Sequence, residues 1–144
     1  MFKPTAIVLG ALVAIVGLAV LAGWALGIPA LKSVVVGMAT MKANTAITFV
    51  LLGGCLVLHA VCAYSKEDRR GLKRTCVFFG SGAFLLSLLT LSEDLFGTNL
   101  GIDELFFADR NSPHALFHGR MSTGTSSCFV LLAASLLVAQ AFGG

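Results

Sequence analysis

The chain has 144 residues and a formal net charge of +3, with 57% hydrophobic residues and 12% charged residues. A soluble domain typically carries roughly 25% charged residues, so this composition excludes an ordinary soluble globular domain. One basic loop accounts for the modest positive charge, so we expect no nucleic-acid partner. The sequence has no GxSxG, Walker or dinucleotide-binding motif, and we do not expect an enzyme.

Four apolar runs are long enough to cross a hydrocarbon core of about 30 Å at about 1.5 Å per residue. They cover residues 5–28, 43–64, 72–95 and 121–142. The first run is too long for a signal-peptide core and has no small-residue cleavage site before Trp24, so we expect it to be retained. The sequence predicts an all-α integral membrane protein that forms a single domain over residues 1–144.

The connection after the first span contains its own structural signals. Pro29 cannot continue a helix, and it disfavours helical geometry in the residue before it. Residues 30–36 are too apolar for a free loop, so we predict a short interfacial helix there, with Asn44 or Thr45 capping the second span. Residues 100–107 are the corresponding interfacial piece in the second half of the chain.

A basic loop predicts the orientation of the spans. Residues 65–75 contain five basic and two acidic side chains, whereas residues 29–42 contain only Lys32 and Lys42. The positive-inside rule therefore places this loop and both termini in the cytoplasm. The connections 29–42 and 96–120 then face outward, and we expect the membrane to be the bacterial inner membrane.

An internal repeat predicts how the spans are related. Residues 41–52 and 121–132 are identical at six of twelve positions, and weaker matches at a spacing of seventy join the first and third spans. Such a repeat indicates two duplicated helical hairpins, residues 1–64 and 76–144, joined by the loop 65–75. Because each half holds two spans, we predict pseudo-twofold symmetry about an axis along the membrane normal.

Two groups of residues are candidates for a metal or haem site. Cys55, His59 and Cys62 share one face of the second span and suit a metal or a haem; the alternative is that cysteine is an apolar filler and His59 makes an interhelical hydrogen bond. Structural disulfides are not expected at this depth in the membrane. His114, His118 and Met121 suit copper, although methionine is also an ordinary apolar residue.

A third group combines charges at the outer ends of the spans. Glu93 and Asp94 end the third span, Asp103 follows, and Arg120 precedes the fourth. Arg120 could pair with these carboxylates, which gives either an internal ion pair or a ligand pocket. The predicted ligand-binding residues at the outer face are Met41, Asn44, Glu93, Asp94, Asp103, His118, Arg120 and Met121.

The junctions before the second and fourth spans suggest a family. The run Gly27-Ile28-Pro29, the run Met41-Lys42-Ala43-Asn44-Thr45 and the run His118-Gly119-Arg120-Met121 resemble the four-span N-terminal membrane sensory region of bacterial PAS, histidine kinase and diguanylate cyclase signalling proteins. The resemblance implies a sensory role. The second junction departs from it, with Gly124 where an asparagine is expected, and no output domain follows the fourth span.

These observations lead to two main functional hypotheses; a third is a small transporter, which the pseudo-symmetry would suit although the spans lack charges deep in the bilayer. The first is a non-enzymatic membrane module, either excised from a sensor or free-standing, which detects a ligand or a membrane state at the outer face and acts through helix packing. The second is an accessory or structural subunit of a larger membrane complex, with haem or copper as the cofactors to consider. The expected partners are the lipid bilayer and another membrane or signalling protein, with a homo-oligomer as an alternative.

Overall fold

A computed structural model describes residues 3–33, 40–64, 70–103, 105, 107 and 119–142. All the regular structure in these residues is helical: α1 (Lys3–Leu26), α2 (Pro29–Lys32), α3 (Ala43–Tyr64), α4 (Arg70–Phe96) and α5 (Thr123–Phe142). The four long helices are each long and apolar enough to cross a membrane. The four predicted spans are therefore confirmed, with bounds that agree within two residues.

Successive long helices pack side by side and antiparallel. α1 packs along α3, α3 along α4 and α4 along α5, and α3 also touches α5. We call the end that holds the C-termini of α1 and α4 and the N-termini of α3 and α5 the Arg120 end, and the opposite end the Arg70 end. In the described part of the chain, α1 contacts α2 and α3 but neither α4 nor α5.

Glycines let α1 and α3 approach backbone to backbone. A Cβ atom added at Gly53 would lie 2.5 Å from the carbonyl oxygen of Gly10, and one added at Gly17 would lie 2.6 Å from that of Ala46. Within lipid there is no hydrophobic effect to bring helices together, so association depends on such close contacts between small residues. The large side chains of α1, among them Leu12, remain exposed on its other faces.

The apolar core lies between α3, α4 and α5. Phe49 and Phe129 meet edge to face, with ring centroids 5.5 Å apart, which is a favourable arrangement for two aromatic rings. Leu52, Ala83 and Met121 pack in the same buried cluster. Met121 therefore acts as a core residue in this structure.

α1 and α4 end in the same way. Each is followed by a glycine with positive φ, Gly27 at +68° and Gly97 at +63°. The amide of Ile28 donates to the carbonyl of Gly23 at 2.9 Å, and the amide of Thr98 donates to the carbonyl of Glu93 at 3.1 Å. These are the bonds of a Schellman cap, which requires a left-handed residue and so favours glycine.

The predicted pseudo-twofold symmetry is not shown for the bundle as a whole. It would pair the α3–α4 contact with an equal contact between α5 and α1, and the described residues contain no such contact. In the first half, where the sequence predicts a short interfacial helix over residues 30–36, the structure has the short helix α2, and residues 34–36 lie outside the described residues. In the second half the described residues form a turn, in which the Leu105 amide donates to the Ile102 carbonyl at 3.3 Å.

Replacing Gly53 with alanine is expected to weaken the packing of α1 on α3, because the new Cβ would meet a backbone oxygen that cannot rotate away. Overpacking of this kind costs about 1–3 kcal/mol. Gly82→Ala is the matched control, because its Cβ would meet only the Leu51 side chain, at an ordinary 3.5 Å. Thermal unfolding in detergent should give a lower midpoint for Gly53→Ala than for Gly82→Ala; equal midpoints would contradict the packing argument.

Candidate functional site

Arg120 lies just before α5, almost buried, with three carboxylates around its guanidinium group. Its Nε donates to Asp103 Oδ2 at 2.7 Å, and its Nη1 donates to Asp94 Oδ1 at 3.3 Å. Its Nη2 donates to the Thr98 carbonyl at 3.0 Å and lies 3.6 Å from Glu93 Oε2. One side chain thus joins the start of α5 to the end of α4 and to the connection between them.

The surrounding charges keep this guanidinium ionised. Burial lowers the pKa of Arg120, but the hydrogen bond and charge of Asp103, with the charge of Glu93 and the hydrogen bond to Asp94, outweigh it, so the pKa lies above its usual value. Arginine is in any case not deprotonated in proteins. A charge that cannot be neutralised must be paired once it is buried, so these carboxylates are required where Arg120 sits.

Asn44 connects α3 to the same group. Its Nδ2 donates to Asp103 Oδ1 at 3.3 Å and to the Ile102 carbonyl at 3.4 Å. Both partners are acceptors, which fixes the orientation of the amide. Asn44 thus lies inside the first turn of α3 and reaches across to the α4–α5 connection. The prediction that Asn44 or Thr45 caps the second span is wrong, because α3 begins at Ala43 and both residues lie within its first turn.

Hydrogen bonds hold the two carboxylates at the end of α4. Glu93 Oε1 accepts a 2.5 Å hydrogen bond from the Leu100 amide, which fixes the chain after the Gly97 turn. Asp94 Oδ2 accepts from Thr123 Oγ1, in the first turn of α5, at 2.7 Å. Carboxylates are unfavourable near a helix C-terminus, where the macrodipole is negative, and the positive charge of Arg120 offsets this. We call Asn44, Glu93, Asp94, Asp103, Arg120 and Thr123 the Arg120 network.

Two acceptor atoms of the network have no hydrogen-bond partner among the described residues. They are Asn44 Oδ1 and Glu93 Oε2, and both belong to fully buried side chains. Buried polar atoms are nearly always paired, so an unpaired one calls for a bound water or ligand group, or a functional role. The network therefore has unused capacity to accept hydrogen bonds.

Small polar side chains continue from the network toward the middle of the helices. Thr48, Ser87, Thr90 and Ser126 are all fully buried. Thr48 and Thr90 donate to the carbonyl four residues earlier, at 2.8 and 3.1 Å, whereas Ser87 Oγ has no partner. Such back-bonding satisfies a hydroxyl where no water is present. A narrow polar stripe thus leads from the Arg120 network into the bundle.

Trp24 marks the same end of the molecule from α1. Its Nε1 donates to the Met41 carbonyl at 3.0 Å, and its ring centroid is 6.1 Å from that of Phe107 in the α4–α5 connection. Lys32 Nζ lies 4.2 Å from the ring centroid, a cation–π contact. Tryptophan is enriched at membrane–water interfaces, so Trp24 is placed where its amphipathic ring is most stable.

The structure brings together five of the eight predicted ligand-binding residues, namely Asn44, Glu93, Asp94, Asp103 and Arg120. Met41 contributes its backbone carbonyl to Trp24, and Met121 packs in the core. His118 and His114 lie outside the described residues, so the predicted copper site stays a prediction. Sequence reasoning missed Thr98 and Thr123, because a backbone carbonyl and a hydroxyl in a polar stretch carry no distinguishing pattern.

The predicted metal-binding residues of α3 do not form a metal site within the described residues. His59 Nδ1 lies 2.6 Å from Gln140 Oε1 of α5, and Cys55 Sγ faces Cys76 of α4. The described residues contain no group of three or more His, Cys, Asp or Glu side chains that could hold a metal ion. A shared helix face therefore did not produce a shared site, because Cys55 and His59 each have a partner on a different helix. Haem binding through His59 stays a prediction. The interhelical hydrogen bond weighed for His59 is observed.

Comparisons with protein-family models, with curated proteins and with solved structures find no match to this chain.

Removing the guanidinium by Arg120→Ala is expected to destabilise the fold strongly, because it leaves buried carboxylates without their positive partner. Breaking a buried ion pair in this way costs about 3–5 kcal/mol. Thermal unfolding in detergent measures the effect, with Arg74→Ala as the control, since Arg74 is exposed at the Arg70 end. If the two substitutions shift the midpoint equally, the network does not hold the Arg120 end together.

Proposed function

We propose that this chain is a non-enzymatic membrane module that binds a ligand, or responds to the state of the membrane, at the Arg120 end. The change would pass to the rest of the molecule through the packing of α3 and α5. The observation that carries the proposal is the Arg120 network, in which a single buried guanidinium is linked to α3, α4, α5 and the α4–α5 connection.

Buried ion pairs suit a conformational switch better than a purely stabilising contact. Their Coulombic attraction is largely cancelled by the cost of desolvation, so they add little net stability, whereas losing one partner is costly. Asp103 accepts from both Asn44 and Arg120. A ligand that competes for Asp103 or for Arg120 would therefore release α3 and α5 at the same point, and their tilt would change together.

The two acceptors without a hydrogen-bond partner support ligand binding at this place. Asn44 Oδ1 can accept a hydrogen bond without any existing bond being broken, and Glu93 Oε2 can accept one beside its ion-pair contact with Arg120. A ligand with donor groups would form hydrogen bonds to these two atoms only in the conformation that can bind it. Such a difference in affinity is what shifts a conformational equilibrium, and reversing a 1:99 population takes about 5.5 kcal/mol.

In this proposal the Arg120 end faces outward from the bacterial inner membrane, with both termini in the cytoplasm. The support is the charge count of the loop 65–75 under the positive-inside rule. Glu93, Asp94 and Arg120 then lie near the outer interface, where a ligand from outside the cell or a lipid headgroup has access.

We also propose that the two hairpins arose by duplication. In support, Gly10 lies against Val57 and Gly80 lies against Leu137, and these contacts match at spacings of seventy and eighty. The matching caps of α1 and α4 follow the same spacing. The resemblance to bacterial sensory regions makes a signalling protein the first partner to look for.

The fluorescence of Trp24 tests the response directly, because it is the only tryptophan of the chain and contacts both Met41 and Phe107. The protein would be reconstituted in phosphatidylcholine vesicles of two acyl-chain lengths, with and without added phosphatidylglycerol. We expect the emission maximum to move with at least one of these variables in the wild type and in Arg74→Ala, and the movement to be lost in Arg120→Ala. An unchanged response in correctly inserted Arg120→Ala would remove the network from the proposal.

Gentle purification from the native membrane separates the proposal from its alternative. Mass spectrometry would identify the partners, and visible absorption would detect a haem. A colourless protein, found alone or with signalling proteins, would support a sensory module. A large stable assembly, or a haem absorption band, would instead support an accessory subunit.

A further inference from the structure

Two free thiols, one on α3 and one on α4, lie in contact toward the Arg70 end. Cys55 Sγ and Cys76 Sγ lie 3.1 Å apart, and both side chains are almost completely buried. Each sulfur also lies within hydrogen-bonding distance of the other residue's backbone carbonyl, at 3.4 and 3.3 Å. Both cysteines are free thiols in this structure. The two sulfurs therefore face each other directly across the helix–helix interface.

The surroundings hold the two sulfurs in this position. A Cβ atom added at Gly80 would lie 3.5 Å from Cys55 Sγ, so the α4 backbone passes close beside this thiol. Next to Cys55, a Cβ at Gly54 would lie 2.8 Å from the ring of Phe79, which follows Cys76 by about one turn of α4. Close packing on both sides leaves the thiols little freedom to turn away from each other.

We propose that Cys55 and Cys76 form a site of reversible covalent modification, an intramolecular disulfide that links α3 to α4 within the membrane. The bond length of a disulfide is about 2.05 Å, so the two sulfurs need to approach by about 1 Å. This disulfide would form only under oxidation, which distinguishes it from the structural disulfide that is not expected at this depth.

The oxidant that the chemistry requires is a small, membrane-permeant, two-electron acceptor of the peroxide class. One cysteine sulfur attacks a peroxide oxygen, the O–O bond breaks, and one water leaves with formation of a sulfenic acid. The second sulfur then displaces the hydroxyl group, the S–S bond forms, and a second water leaves. Two thiols and one hydrogen peroxide thus become one disulfide and two waters, and a dithiol reductant reverses the change.

The disulfide would fix the spacing of α3 and α4 far from the Arg120 network. Cys76 and Glu93 are 17 residues apart on α4, which corresponds to about 25 Å along a helix. The modification site is therefore independent of the proposed ligand site. The crosslink would limit any relative sliding of the two helices.

The test uses the full chain in its membrane, treated with hydrogen peroxide and then quenched. Remaining thiols are blocked with N-ethylmaleimide in detergent, the sample is reduced, and newly released thiols are labelled with a polyethylene glycol maleimide that shifts the protein on a gel. We expect a Cys62→Ser/Cys128→Ser variant, which keeps only the proposed pair, to gain two labels per chain. Mass spectrometry should identify a Cys55–Cys76 linked peptide that disappears after dithiothreitol.

Matched variants decide the result. Adding Cys55→Ser or Cys76→Ser to that background should abolish the double label, whereas wild-type protein should still form the Cys55–Cys76 link. Cys62 is buried on the same helix as Cys55 and should remain unlinked, and the exposed Cys128 reports that oxidant has reached the protein. Oxidation of Cys128 without any Cys55–Cys76 link would overturn the proposal, as would links found only between separate chains. If a serine variant fails to fold, the linked peptide of the wild type decides alone.

Discussion

The buried guanidinium of Arg120 is the charge around which the rest of its end of the molecule is arranged. It cannot lose its proton, so every group that approaches it must supply negative charge or a hydrogen-bond acceptor. That requirement explains why two carboxylates end α4 and why the chain turns so that the Thr98 carbonyl faces inward. Asn44 reaches across from α3 to Asp103, one of the carboxylates that pair with Arg120. Elsewhere the helices associate mainly through small residues and apolar contacts, with one polar contact between His59 and Gln140. One end is therefore held mainly by charge, and the remainder mainly by close packing.

The two kinds of contact respond differently to change. Packing between glycines and small residues depends on shape alone, so it is insensitive to ions and to polar ligands. The Arg120 network depends on electrostatics in a poorly hydrated place, where any competing group exchanges one strong interaction for another. The stripe of buried hydroxyls below the network extends this polar character into the bundle. In the proposed function, a local event at the charged end would alter helix positions while the packed interfaces stay intact.

Much of this could be predicted from the sequence, for identifiable reasons. Four long apolar runs are unambiguous because a bilayer sets their length, and Arg120 with Glu93, Asp94 and Asp103 could be grouped because charges are rare in such a chain. The positions of α1 and α5 could not be predicted, since a repeat pattern does not say which helices contact one another. Cys55 and His59 share a helix face, yet each contacts a different helix. Spacing along one helix gives the direction of a side chain but not its partner.

The peripheral position of α1 also affects how the protein is made. Because α1 packs on α3 and on neither α4 nor α5 in the described part of the chain, the first hairpin can complete its tight glycine interface as soon as α3 has entered the membrane. α3 then presents its opposite side as a ready surface for the helices that follow. The Arg120 network forms last, because its arginine precedes the final helix. Membrane assembly would thus proceed largely in the order of synthesis, and the contacts of Trp24, Asn44 and His59 with the later part of the chain would form afterwards.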